Sequence, residues 1–306
     1  MRDNNFIIEN NAKHLWHPMG APGDSINNPP KVITNANGSQ ISDIDGHTTV
    51  DAVGGLWCVN LGYSNQAIKK AISEQLDLLP YYSGFAGTTN PAAIEASFMV
   101  KEMFKADGME KVFFTSGGSD SVETCLRLSR QYHRLRGEPT RTKFISLKKG
   151  YHGTHFGGAS VNGNNRFRIA YEPLLPGCFH LPSPYTYRNP FNETDPQKLA
   201  LNIAQAFEDE IAFQDKNTIA AFIMEPIQGA GGVIVPDPSF MGLMQEICER
   251  NGILMISDEV ITGFGRTGSW SGARHWNVKP DMMSMAKGIT SGYFPVGAAL
   301  MSEKVA

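Results

Sequence analysis

TIAAFIMEPIQGAGGVIVPDPSFMGLMQEICERNGILMISDEV, residues 218–260, holds two strongly apolar runs around one amphipathic stretch. TIAAFIMEP (218–226) and GILMISDEV (252–260) read as buried strands, and SFMGLMQEICER (239–250) repeats apolar residues at helical spacing. Working upstream, KVFFTS (111–116) and TKFISL (142–147) are further strands, while SDSVETCLRLSRQYHRL (119–135) and KLALNIAQAFEDEIAF (198–213) are helices. Such alternation predicts an α/β fold with a mostly parallel central sheet flanked by helices. NQAIKKAISEQLDLL (65–79) and PAAIEASFMVKEMFKA (91–106) add two helices. Ahead of them, residues 31–55 carry short β-prone pieces broken by Asn-Gly and Asp-Gly, the mark of hairpin turns. The expected organisation is a small β-rich segment over residues 1–55 and a large domain over 56–306.

The chain has 306 residues, 41% of them hydrophobic, which is enough for a sizeable core. With 27 basic against 30 acidic side chains it lacks the polybasic character that nucleic acid or anionic lipid would select, so small molecules are the expected partners. Cys58, Cys125, Cys178 and Cys248 form no CxxC pair and read as reduced thiols. No signal-like core and no run of apolar residues long enough for a membrane span occurs, so a cytoplasmic location is expected. After Ala306 no terminal helix or cap is in sight, and the chain reads as cut short.

In open α/β sheets ligands gather at the carboxyl ends of strands. After KVFFTS comes Gly117-Gly118-Ser119-Asp120 and then a helix, whose free N–H groups suit a phosphate; an ordinary loop capped by Ser119 or Asp120 is the other reading. After TKFISLKKG, Tyr151-His152 pairs an aromatic with a polar residue that could lie on a flat ring, or simply pack a turn. His152 and His155 have a spacing open to a metal, but the surrounding glycines and missing acids disfavour one, and no metal is expected. Glu225 ends one apolar run, as a salt-bridge partner or a site residue. Asp258 and Glu259 end another, where a buried carboxylate is costly unless paired, so Asp258 calls for a cation. Gly263, Gly265 and Gly268 spell a GxGxxG, yet SDEVIT separates it from the strand and no helix pattern follows, which disfavours a nicotinamide site. Lys287, set among Met285, Ala286 and Ile289, is either snorkelling or a desolvated nucleophile able to bond an aldehyde. A phosphate cradle, an aromatic face, a buried Asp and such a Lys are together what pyridoxal 5'-phosphate requires.

At this point the sequence resembles the class III aminotransferases, a fold type I group of pyridoxal-phosphate enzymes that includes ω-amino acid–pyruvate and amine–pyruvate aminotransferases. GLWCVNLGYSN (55–65), FFTSGGSDSVET (113–124), GYHGTHFGGAS (150–160), EPIQGAGGVIVP (225–236), SDEVITGFGRTG (257–268) and AKGITSGYFPVGA (286–298) look like family blocks in the family's order. The resemblance implies that Lys287 is the Schiff-base lysine and that Asp258 pairs with the pyridine nitrogen. It implies phosphate binding by Gly118 and Ser119 in a loop shaped by Ser116 and Gly117. Tyr151 would stack on the ring, Val260 would pack on the other face, and Glu225 would lie near the ring edge. Trp57, Phe85 and Tyr151 match substrate-pocket positions of the amine–pyruvate enzymes.

Where the family usually has a serine in the phosphate loop this chain has Gly117, so one hydroxyl contact is absent. Family members also continue into a partner-loop Thr and a C-terminal domain that often supplies a carboxylate-binding Arg. The resemblance thus implies a homodimeric transaminase passing an amino group from an amine or ω-amino acid to a keto acid, with pyruvate expected. Residues 1–306 alone are not expected to turn over substrate. A decarboxylase or aminomutase of the same fold is the alternative within the class. An inactive piece or binding-only homologue is the alternative outside it.

Overall fold

Residues 3–306 are described by the computed structural model, which separates into the units Met1–Tyr81 and Tyr82–Ala306. The boundary expected after residue 55 therefore falls inside the first unit. That unit begins with two helices the sequence reading did not include, α1 (Asn4–His14) and α2 (Pro22–Asn27). Asp3 caps α1 by accepting from the Phe6 N–H at 2.8 Å, and Pro22 starts α2 where its missing N–H costs nothing.

The predicted hairpins follow as β1 (Ile33–Asn37), β2 (Gln40–Asp43) and β3 (Thr48–Val50), an antiparallel three-stranded sheet. Gly38 (φ +57°) and Gly46 (φ +86°) take the left-handed conformation these two turns demand. Asp43 braces the second turn, its Oδ1 accepting from the Asp45 and His47 N–H groups at 3.1 and 2.9 Å. A short turn, α3 (Gly54–Trp57), precedes α4 (Gln66–Leu78), which Asn65 caps by accepting from Ala67 and Ile68.

The second unit contains α5 (Pro91–Phe104), β4 (Met109–Thr115), α6 (Gly118–Leu135), β5 (Lys143–Leu147), α7 (Phe156–Val161) and β6 (Cys178–Leu181). It continues with α8 (Pro196–Gln214), β7 (Ile219–Met224), α9 (Phe240–Asn251), β8 (Leu254–Asp258), α10 (Gly272–His275), β9 (Met282–Met285) and β10 (Gly297–Ser302). Its seven strands lie in the order β4-β10-β9-β8-β7-β5-β6. Strand β10 is antiparallel to both neighbours and the remaining pairs are parallel, so six strands point their carboxyl ends to one edge. The mostly parallel sheet predicted from the alternation is present. The antiparallel strand is an addition.

Strands β7 and β8 are buried at every residue, which is why both read as continuous apolar runs rather than alternating ones. Phe222 and Met224 pack in the cluster shared with α8 and α9, while Ala221 and Ile223 face the cluster holding Val122, Cys125 and Leu126 of α6. Each large side chain sealed in this way stabilises the unit by about 2 kcal/mol. Helix α6 buries Ser121, Cys125, Ser129 and His133, one face at four-residue spacing. Packing that face against the sheet aims the α6 N-terminus at the carboxyl edge. Among the described residues no helix is long and apolar enough to cross a membrane.

Candidate active site

Strands β4, β5, β7, β8 and β9 deliver every predicted site residue of the second unit except Phe85 to this edge. From β4 the chain passes through Ser116 and Gly117 into α6. Gly117 is extended and offers no capping side chain. Asp120, in the first turn, is drawn aside: it accepts from the Ser116 N–H at 3.2 Å and meets His155 Nδ1 at 3.2 Å. The N-terminal amides of a long helix are therefore left without a side-chain cap, an arrangement suited to an anion. Gly118 is needed here for close approach, because a Cβ on it would lie 3.1 Å from Val260 Cγ1 and 3.5 Å from Ala286 Cβ. The α6 start, the residue two beyond β8 and the residue before Lys287 thus meet at one point. Ser119 faces the β5 loop, its Oγ accepting from the Thr154 N–H at 3.1 Å.

Asp258, the last residue of β8, is 3% exposed. Its side-chain partner is an imidazole: His152 Nδ1 lies 2.7 Å from Asp258 Oδ2. Ser284 of β9 donates to Asp258 Oδ1 at 2.9 Å, and the Val260 N–H approaches the same oxygen at 3.2 Å. Its neighbour Glu259 is committed elsewhere. It accepts from the Ser257 and Thr262 hydroxyls and from the Gly272 and Ala273 N–H groups, which fastens α10 to β8. Burial raises the Glu259 pKa against these four donors. The turn it anchors carries Gly263, Gly265 and Gly268, folded back through Phe264 N to Trp270 O and Gly265 N to Ser269 O. That glycine pattern closes a loop and opens no helix behind a strand, so the dinucleotide geometry is missing.

Tyr151 is half-buried and its ring meets Phe167 at 4.6 Å between centroids. Burial, and secondarily the nearby Asp258 charge, raise its phenol pKa. Its backbone N–H donates to Glu225 Oε1 at 3.0 Å, and Gly229 N–H donates to Oε2 at 2.9 Å. Burial pushes Glu225 up to about 7; His152 pulls it down and Asp258 adds to the rise. Lys287 follows β9, half-buried, with φ +49°. A branchless glycine would adopt that conformation freely, whereas for lysine it costs on the order of 1 kcal/mol, and such strain concentrates at functional positions.

Phe85, in the segment ahead of α5, is 85% exposed. Trp57 belongs to the first unit, partly buried, with φ +62°. His152, Ser284 and Asn162 were not foreseen as partners of this site. The sequence marks His152 as the polar neighbour of Tyr151 and as a disfavoured metal ligand; it and His155 turn to different carboxylates, Asp258 and Asp120. The available signal for His152 was its place beside Tyr151, opposite an aspartate that needed a partner.

The same residues are found in a known sequence setting. Residues 23–306 match the family profile described as aminotransferase class-III. The chain is 38% identical over 275 residues to the putrescine–pyruvate aminotransferase of Pseudomonas aeruginosa, covering 90% of this chain and 60% of that protein. It is 36% identical over 299 residues to an omega-aminotransferase of Caulobacter vibrioides, covering 97% of this chain and 67% of that one. Among solved structures, a PLP-bound amine transaminase from an uncultivated Pseudomonas species superposes with a TM-score of 0.94 at 46% identity, covering 95% of this chain and 66% of the other. An (S)-enantioselective omega-transaminase from Thermomicrobium roseum gives 0.96 at 34% identity, covering 100% and 68%. The chain therefore spans about three fifths to two thirds of the length of these relatives. With the fold, the ordered motifs and the profile match in agreement, this chain belongs to the class III aminotransferases.

Proposed function

We propose that the protein is a pyridoxal-phosphate-dependent transaminase that moves an amino group from an amine or ω-amino acid to a keto acid, with pyruvate as acceptor. The observation that carries this reading is the meeting of the uncapped α6 start with Val260 and Ala286, beside the buried Asp258 and the strained Lys287. These groups fit the cofactor: an amide end for its phosphate, a carboxylate for a protonated ring nitrogen, and an amine for its aldehyde. When bound, pyridoxal phosphate supplies an electron sink for the pair left on the substrate carbon after proton removal.

The chain's own side chains divide the remaining work. Gly118 and Ser119 would bind the phosphate, in a loop shaped by Ser116 and Gly117. Asp258 holds the ring nitrogen's proton, with His152 and Ser284 fixing the carboxylate. Tyr151 would cover one ring face and Val260 the other, while Glu225 sets the Tyr151 main chain. Lys287 would hold the cofactor through its aldehyde and, once its amine is free again, would hold and move a proton at the substrate carbon. By resemblance Trp57, Phe85 and Tyr151 are each substrate-pocket positions, and their aromatic character suits apolar or long-chain amines. The names of the Pseudomonas aeruginosa and Caulobacter relatives support amines and pyruvate as substrates. A homodimer belongs to this reading by resemblance, and the four free thiols support a reducing, cytoplasmic setting.

The test is alanine formation from pyruvate with putrescine or another ω-amine after loading with the cofactor, run on residues 1–306 beside the full-length protein. In the full-length protein K287A should lose both the visible absorbance of the bound cofactor and alanine formation. Alanine production at the wild-type rate by K287A overturns the assignment, and carbon dioxide release without alanine favours the decarboxylase.

A further inference from the structure

Asn162 lies in none of the stretches that named the family, follows α7 directly, and is completely buried. Its side-chain amide spans one peptide step of the loop that carries Tyr151. Oδ1 accepts from the His152 N–H at 2.5 Å, and Nδ2 donates to the Gly153 carbonyl at 2.9 Å. Both partners are main-chain groups with fixed roles, so the orientation of the amide is settled. Its own carbonyl accepts from Arg168 at 2.9 Å, and Arg168 also donates to the Ser160 carbonyl at 3.1 Å. The clamp is thus itself held in place.

The two residues it grips serve opposite ends of the site. His152 places Nδ1 2.7 Å from Asp258 Oδ2, and a carboxylate there requires the imidazole hydrogen on that nitrogen. Gly153, at φ +102°, packs so closely on the phosphate loop that a Cβ would lie 2.6 Å from Ser119 Oγ. The next N–H, of Thr154, donates to that same hydroxyl. A shift of the 152–153 step would therefore move the imidazole off Asp258 and the loop off Ser119 together.

We propose that Asn162 is a positioning residue that fixes, through this one peptide step, both the His152–Asp258 pair and the Ser119 contact on which cofactor binding depends. It deepens the transaminase reading and rests on the roles given there to Asp258 and Ser119. The clamp itself belongs to the unliganded chain. Leucine keeps the branching of asparagine but removes both hydrogen bonds, so N162L tests positioning while the melt reports any cost in packing.

The direct readout is hydrogen exchange of the His152 backbone amide in the cofactor-free protein. N162L should speed it by about tenfold or more while the protein keeps its far-ultraviolet circular dichroism and a cooperative melt. Unchanged exchange overturns the clamp. With pyridoxal phosphate added, the pH midpoint of the bound cofactor's visible band reports the surroundings of the ring. N162L and H152L should each shift it in the same direction, by about one pH unit, and the double variant should shift it no further than H152L alone. Additive shifts, or a wild-type midpoint in N162L, overturn the relay. If N162L does not fold, N162A carries the same comparisons, since it removes both bonds without adding volume; shifted values support the proposal and wild-type values overturn it. A wild-type protein that takes up no pyridoxal phosphate removes the transaminase reading, and the exchange measurement still judges the clamp.

Discussion

Glu225 Oε1 lies 3.0 Å from the backbone nitrogen of Tyr151 and accepts its N–H, so a carboxylate at the end of β7 fixes the main chain of the aromatic residue at the end of the β5 loop. Its pKa is raised from 4.5 to about 7, with burial the largest cause. The unfolded chain sheds this proton near 4.5, before the folded one does. The stabilisation is therefore complete below 4.5, falls as pH rises toward 7, and is gone above it. Across that window the loss attributable to Glu225 is about 3 kcal/mol. Urea midpoints of wild type and E225Q between pH 4.5 and 8 check this: the wild-type curve should fall more steeply, and parallel curves would refute it.

The absence of a serine hydroxyl from the proposed phosphate loop can be reversed. Gly117 is extended, a conformation any residue adopts, and a Cβ on it meets nothing within 4 Å. G117S should therefore fold normally and add one hydroxyl beside the α6 amides, tightening pyridoxal phosphate by roughly threefold to tenfold. A fluorescence titration of the cofactor-free protein reads this directly; equal or weaker binding would show that the hydroxyl finds no use there.

Gly118 should behave in the opposite way. An added Cβ must press on Val260 Cγ1 and Cγ2 at 3.1 and 3.2 Å. G118A is expected to cost about 1–3 kcal/mol of stability by overpacking. Cofactor affinity should fall with it. The double variant G118A/V260A removes the obstructing carbons and should recover part of both losses. Thermal melts and cofactor titrations of the two variants decide the point, and no recovery in the double variant would place the strain elsewhere.

Much of this architecture could be read from the chain alone, for a physical reason. Strands β4, β5, β7 and β8 stood out because three of them lie buried and all end where polar, glycine-rich text begins. Strands β9 and β10 sit in text dense with methionine, glycine and alanine, and strand direction leaves no periodic mark, so the antiparallel course of β10 was illegible. Asp258 was recognisable as a costly buried charge, but not its partner. The bond from His152 depends on how a loop turns, and the Asn162 clamp on two backbone groups that carry no sequence identity at all.

Glu259 shows the same limit from the other side, because Asp258 and Glu259 look alike in sequence. Four donors occupy the glutamate, two of them backbone N–H groups at the start of α10. E259A leaves those buried amides unpaired and should destabilise the protein by about 3 kcal/mol or more. Differential scanning calorimetry of the cofactor-free protein tests this. A melting temperature within a degree or so of wild type would mean that the four bonds contribute little net stability.

The antiparallel insertion of β10 has a bearing on how the site comes into being. Among the described residues, β4 has no sheet neighbour except β10, and Thr115 pairs with Gly297 just where the chain turns toward α6. Gly297 also forms the floor there, since a Cβ on it would fall 2.4 Å from the Gly117 carbonyl oxygen. During synthesis the proposed phosphate loop thus emerges long before the strand that supports it. Its support rests on a pairing between Thr115 and Gly297 that no neighbouring stretch of chain can replace.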